Sequence, residues 1–287
     1  MRNRFVIRLY MFACVVAACA CWAAPAAAQF QPLPNPATGE RYRIEASAAW
    51  WFPDATMLVA SEGLGQLGTA IDFKKDLGLD DQRMSSLRVV LRPTRRAKFR
   101  FELTPMKYES SGTVTRDLVF NGQRYRASLP VNSTLDWKAY RFAFEYDVVV
   151  RDRGFAGFLL EAKYSDIQTE LRNPVLVEFA RARAPIPAVG GIGRVYVARN
   201  ISVTGELTGF KLPENLIEGA SGHFVELDLY GTLNVTKNVG VQVGYRSLDI
   251  GVTVNADTPN TCPALAGSGT SACLTMRGAY LGVVARY

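Results

Sequence analysis

From about residue 41 to the C-terminus, apolar and polar side chains alternate one for one, the period of extended strands whose two faces meet different surroundings. Leu87, Val89 and Leu91 alternate with Ser86, Arg88 and Arg92, and Phe99, Phe101 and Leu103 with Arg100, Glu102 and Thr104. The same beat sets Tyr140, Phe142, Phe144, Tyr146 and Val148 against Arg141, Glu145 and Asp147, then Phe158, Leu160, Ala162 and Tyr164 against Glu161, Lys163 and Ser165. Further on, Val225, Leu227 and Leu229 oppose Glu226 and Asp228, while Val239, Val241, Val243 and Tyr245 oppose Gln242 and Arg246. In two glycine-rich stretches Val195 and Val197 oppose Arg194, and Val203 and Leu207 oppose Glu206. The pattern predicts ten strands, at 41–52, 84–92, 98–109, 134–149, 155–169, 187–198, 201–211, 223–235, 239–250 and 275–287, with eight as the alternative count. Pro105 predicts a bulge, and Pro185 and Pro187 blur the start of the sixth strand.

The segments between these strands alternate in length. Those at 53–83, 110–133, 170–186, 212–222 and 251–274 are long, and those at 93–97, 150–154, 199–200 and 236–238 are tight. Tight turns at one end, long loops at the other and an even strand number describe an all-β fold, a transmembrane antiparallel up-and-down β-barrel. A soluble sandwich has no reason to segregate its loops this way. Shifting one strand by a residue would place Arg141, Glu145 and Asp147 in hydrocarbon together, at roughly 2–4 kcal/mol for each basic residue at mid-bilayer. Aromatic girdles are expected from Tyr42, Phe99, Phe155 and Tyr287 towards the turns, and from Trp50, Tyr164 and Tyr245 towards the loops.

Composition changes little in this picture. Of 287 residues 48% are hydrophobic and 21% charged, too apolar for a disordered chain. Residues 1–28 read as a cleaved signal peptide: Arg2, Arg4 and Arg8, then an apolar stretch, then Ala26-Ala27-Ala28. Without it the balance falls from 33 basic against 26 acidic residues to 30 against 26, a surplus too small to argue for nucleic acid. Val16-Ala17-Ala18-Cys19 loosely resembles a lipoprotein-processing box, so acylation of Cys19 is the alternative to cleavage after Ala28. Residues 29–40 form a periplasmic N-terminal segment, and 41–287 the barrel. Only Cys262 and Cys273 remain in the exported chain, with ten residues between them in a loop, where an oxidising compartment favours a disulfide between them.

The signal, the ten alternating strands and the final Ala279-Tyr280-Leu281-Gly282-Val283-Val284-Ala285-Arg286-Tyr287 resemble small bacterial outer-membrane barrels. The resemblance implies that Tyr287, with Ala285, Val283 and Leu281 before it, is read by the barrel-assembly machinery. It implies outer-membrane lipid and lipopolysaccharide as surroundings, with Arg181 and Arg183 near lipopolysaccharide phosphates.

A ten-strand barrel is narrow, so inward charges should reach one another. Arg100, Glu102, Arg141, Glu145, Glu161, Lys163, Arg194, Glu206, Glu226, Asp228 and Arg246 are the expected lumen network, a polar plug in which each buried charge needs a partner. Gly190, Gly191, Gly193, Gly205 and Gly209 would leave room beside it. The leading reading is a non-enzymatic barrel whose loops serve envelope integrity, adhesion or ligand contact. A narrow pore for ions or small solutes comes second, and a rim hydrolase third. Ten-stranded outer-membrane proteases resemble the chain in strand count but need rim aspartates with an aspartate–histidine couple. The only histidine, His223, shares parity with Val225 and faces outward. Lipid-A deacylases place histidine and serine on the outer wall; Ser221-x-His223 reverses their order, and no outward acid stands out beside it. Asn121-Gly122 predicts a hairpin turn. The acidic cluster at 71–81 lacks the spacing of a calcium loop and reads as a solvated charge run; no cofactor or metal is expected.

Overall fold

The computed structural model describes residues 35–60, 71–76, 81–113, 117–120, 123–125, 130–172, 177–212, 219–254 and 270–287. The expected signal peptide, with Cys19, lies outside the described residues, as do Cys262 and Asn121-Gly122. Ten antiparallel strands form the wall: β1 (Ile44–Ala60), β2 (Met84–Leu91), β3 (Ala97–Thr113), β4 (Pro130–Arg151), β5 (Gly154–Arg172), β6 (Val177–Ala198), β7 (Ile201–Leu212), β8 (Ala220–Asn234), β9 (Val239–Val254) and β10 (Thr270–Arg286). Each pairs with its neighbours in sequence, and β1 pairs with β10 from Glu45↔Arg286 to Ala60↔Ser271. That last ladder closes the barrel and leaves no strand edge at membrane depth, where nothing else could satisfy it.

The two faces invert the arrangement of a water-soluble protein. Phe142, Leu160, Val195, Leu207, Leu227, Val243 and Leu281 are exposed on the outside, while Arg100, Glu145, Glu206 and Asp228 are buried within. Such a wall is stable only where lipid replaces water outside. Among the described residues there is no helix.

Several strand limits differ from the sequence reading. β1 begins later and runs to Ala60 rather than ending at 52, and β6 begins at Val177, so the third outer connection is only 173–176. Pro105 causes no bulge: β3 and β4 stay in register from Ala97↔Tyr146 to Thr113↔Pro130. The reason is positional. Pairing of β3 with β2 stops at Leu103, and pairing of β6 with β7 stops at Val189. Pro105, Pro185 and Pro187 therefore lie where a strand has one ladder partner only, and a missing donor is tolerated there. The recorded bulges fall instead at Asp147/Val149 and Ile201/Ser202, near the tight turns.

Two expected girdle aromatics point the other way. Phe155 has the parity of Glu161 and Lys163 and is buried in the lumen, and Tyr42 is buried at its lower end. Trp50, Phe99, Tyr164, Tyr245 and Tyr287 are exposed on the outside. The glycines also differ from expectation. Gly191, Gly193, Gly205 and Gly209 line a shallow apolar depression with Val189, Leu207, Val225 and Leu227 on the lipid-facing wall, not in the lumen.

Candidate functional site

At mid-height the alternating strands aim every inward charge at the barrel axis. Arg88 (β2) reaches Glu102 (β3), Glu206 (β7) and Asp228 (β8) at 2.8, 3.5 and 3.0 Å. Arg100 spans Glu145 and Glu206 at 2.8 and 2.5 Å. Arg246 (β9) holds Glu102 at 2.5 Å and Glu226 at 2.8 Å. Arg141 pairs with Glu161 and, at 3.3 Å, with Glu206; Lys163 pairs with Glu226 and, at 3.1 Å, with Glu161. The hydroxyls of Tyr230 and Tyr280 donate to Glu206 and Asp228.

Ten of the eleven residues named from the sequence thus meet in one network. Arg194 does not join it. It sits lower, donating to Thr204 at 2.9 Å with its guanidinium over the Phe155 ring. Lys98 went unnoticed in the sequence because its chain position looks like a strand start. It lies between Glu145 and Asp147 at 2.5 and 2.9 Å, with Nζ over the same Phe155 ring.

Residues 35–43 cross the tight-turn end of the barrel. The Ala37 and Thr38 amides donate to the carbonyls of Asp152 and Arg199 in two different turns, and Asn234 Nδ2 donates to the Thr38 carbonyl. Glu40 is buried between Arg92 (3.1 Å) and the Tyr196 hydroxyl (2.9 Å). Gly39 makes this crossing feasible: its φ is 83°, and a Cβ there would lie 2.7 Å from Arg286 Nη1. Arg286 in turn holds Glu45 at 2.5 Å.

Lumen charge sums to zero among the described residues. Arg88, Arg92, Lys98, Arg100, Arg141, Lys163, Arg194, Arg246 and Arg286 stand against Glu40, Glu45, Glu102, Glu145, Asp147, Glu161, Glu206, Glu226 and Asp228. Nothing in that balance favours passage of one sign of ion.

Above the charges lies an apolar layer: Trp51, Met57, Met84, Met106, Tyr108, Leu135, Trp137, Phe224, Leu248 and Met276. The first outer loop contributes to it, contrary to its reading as a solvated run. Ile71 and Asp72 pair with Val59 and Leu58 of β1, and Ile71 and Phe73 are buried in the cluster. Alternation across 71–73 explains this, since the apolar residues take one face and Asp72 the other. Outside, Lys74 bridges Asp54 and Asp81 at 2.8 and 2.7 Å, and the Ala55 amide donates to Asp81. Partial burial would raise the Asp81 carboxyl, but the bonds from Lys74 and Ala55 outweigh it and hold it below the usual carboxylate range. Among the described residues, no group of three or more His, Cys, Asp or Glu is placed to hold a metal ion.

His223 faces outward and, unlike in the sequence reading, has an acid. Its Nε2 lies 2.9 Å from Asp249 Oδ1, while Thr275 donates to Oδ2 at 3.1 Å. Asp249 lies 26 residues away and is directly opposite Val225, so the β8–β9 register makes it the diagonal neighbour of His223. Equal outward parity on adjacent strands was the available signal. Ser221 is buried and its hydroxyl is bonded to Thr253. Cys273 is buried near the outer end of β10.

No protein-family model and no curated protein matches the chain. Among solved structures it is similar to the outer membrane protease OmpT from Escherichia coli, with a TM-score of 0.58 and 8% identity, over 85% of this chain and 96% of that one. It also aligns with the outer membrane protein OprG from Pseudomonas aeruginosa (TM-score 0.34, 10% identity, 88% and 99% of the two chains). A third match is Ail, the attachment invasion locus protein of Yersinia pestis (0.33, 8%, 84% and 99%). The first likeness shows the fold alone, that of a bacterial outer-membrane barrel, and the other two carry no argument.

Proposed function

We propose that this is a non-enzymatic protein of the bacterial outer membrane, with a plugged lumen and a contact role carried by its outer face and loops. The observation behind this reading is the network of paired charges at mid-height. Each carboxylate there touches a cation, and an ion entering it would have to displace a buried pair at a cost of several kcal/mol. Residues 35–43 close the same path from below. In planar bilayers the purified protein should give no steady single-channel current; regular unitary steps would overturn the plug and favour a narrow pore.

The same proposal places outer-membrane lipid around the wall and lipopolysaccharide at the rim, where Lys211 is exposed at the outer end of β7. Tyr287, exposed beyond β10, would serve the barrel-assembly machinery. A disulfide between Cys262 and Cys273 belongs to this reading too.

The His223–Asp249 couple is the one observation that favours a rim hydrolase. Against it, the Ser221 hydroxyl, two residues from His223, is buried and engaged with Thr253, and the Thr275 hydroxyl is bonded to Asp249 itself. Lipopolysaccharide incubated with the protein should release no fatty acid; release that disappears in His223→Ala would establish the hydrolase instead.

A further inference from the structure

Between the charge network and the apolar layer lies a cavity with about 60 Å³ open to the centres of water-sized molecules. That is several times the roughly 10–15 Å³ that one water needs. Trp51, Met106, Trp137, Phe224, Leu248 and Ile250 form its walls, and Glu102, Arg141, Lys163, Glu226 and Arg246 its floor.

Each floor charge already has an ion-pair partner, although Arg246 Nε makes no hydrogen bond among the described residues. Arg246 holds Glu102 and Glu226, Lys163 holds Glu226, and Arg141 holds Glu161. A charged guest would therefore arrive without a free counter-charge and lose its hydration, which costs far more than it gains. The walls carry the opposite message. Trp137 lines the cavity and is 3% exposed, and among the described residues its indole N–H has no hydrogen-bond acceptor. An unanswered buried donor costs about 1–3 kcal/mol. It is an unused donor on a wall that is mainly apolar, with Thr104 and Ser165 as its other polar members.

We infer that this outer chamber is a binding site for a small, uncharged, mainly apolar molecule bearing one acceptor oxygen, seated between Trp51, Trp137 and Phe224 with its oxygen on the Trp137 N–H. Neutrality follows from the self-paired floor, apolar character from the walls, and the oxygen from the orphan donor. Entry is from the outer side, where Ile71 and Phe73 of the first loop pack in the same cluster. The chamber lies above the network, so binding here and conductance through the barrel are separate measurements.

Titration calorimetry of the full chain in nanodiscs, with cyclohexanone and cyclohexanecarboxylate as probes, tests this. Cyclohexanone should bind saturably at one site per barrel, and the carboxylate should not bind at the same concentration. Trp137→Phe keeps an aromatic six-membered ring but removes the N–H with the five-membered half of the indole, and should weaken cyclohexanone about 3- to 10-fold or more, the reach of one hydrogen bond. Ala139→Leu narrows the chamber from its lining and should abolish binding. Empty-nanodisc titrations subtract partitioning into lipid, and retained heat-modifiable mobility on gels shows that each variant is folded. Absence of a saturable site, equal binding of the carboxylate, or folded Trp137→Phe and Ala139→Leu variants that both bind like the parent would overturn the assignment, with water then filling the space. If Ala139→Leu does not fold, Trp137→Phe alone decides.

Discussion

A buried charge is stable only through the atoms it touches, and Glu206 shows how far that dependence runs. Its carboxylate meets Arg88, Arg100, Arg141 and the Tyr230 hydroxyl, contributed by four different strands. Removing one member of such a set leaves guanidinium groups buried without their anion, at a cost of about 3–5 kcal/mol. Glu206→Gln is therefore expected to lower the urea midpoint of the folded barrel in lipid by an amount equivalent to about 3 kcal/mol or more. An unchanged midpoint, followed by tryptophan fluorescence, would mean that the network is not what holds the lumen. Gly244 acts at the same level for a different reason. A Cβ there would lie 2.5 Å from the Tyr280 ring, so its absence gives the tilted Tyr230 and Tyr280 rings room to reach the carboxylates.

The strands and the first loop divide the work between two kinds of force. Strands are fixed by lipid on one face and ion pairs on the other, and a slip of one residue would exchange them. The segment 71–76 has weaker ties: two apolar side chains packed inward and the exposed Lys74–Asp54 and Lys74–Asp81 pairs outside. Pairs this exposed contribute at most about 1 kcal/mol. Their pH dependence has a definite sign. The Asp81 carboxyl lies below its ordinary value in the folded protein, so its contribution is present above about pH 4 and is lost as pH falls through the folded value. Hydrogen bonds to Asp54 and Asp81 raise the Lys74 ammonium, so its contribution persists through neutral pH and is lost only in strong alkali. Hydrogen exchange across 71–76 should accordingly be flat from about pH 5 to 8, after correction for intrinsic rates, and show loosening below about pH 4. Loosening between pH 6 and 8 would contradict this latch.

For the molecule as a whole, three layers are stacked along the axis, and on the proposed reading together they close it: the crossing segment 35–43, the charge network and the apolar cap. The lowest layer is held by backbone bonds to the turns at Asp152 and Arg199 and by the Glu40 pairs. Deleting 35–40 from the exported chain should leave the barrel folded, since no wall strand is shortened, but leave Arg92 and Tyr196 without Glu40. The truncated barrel should then admit a small thiol reagent from the periplasmic side to a cysteine placed at Ser202, a buried position on the inner face at the lower end of β7, at least tenfold faster than the full chain does. Equal labelling rates would show that the segment is not a seal.

Alternation, loop lengths and the inward parity of the charges were legible in the linear chain, because a strand's two faces are set by local geometry and lipid allows only one assignment. The ten strands, their closure and the inward charges, Arg194 among them, followed from that rule. Which carboxylate meets which guanidinium, the pairing of His223 with Asp249, the descent of Ile71 and Phe73 into the mouth and the crossing of the lower end by Gly39 and Glu40 depend on residues tens to more than a hundred positions apart. Those meetings are fixed by stagger between strands and by the width of the closed tube, quantities that no local periodicity carries.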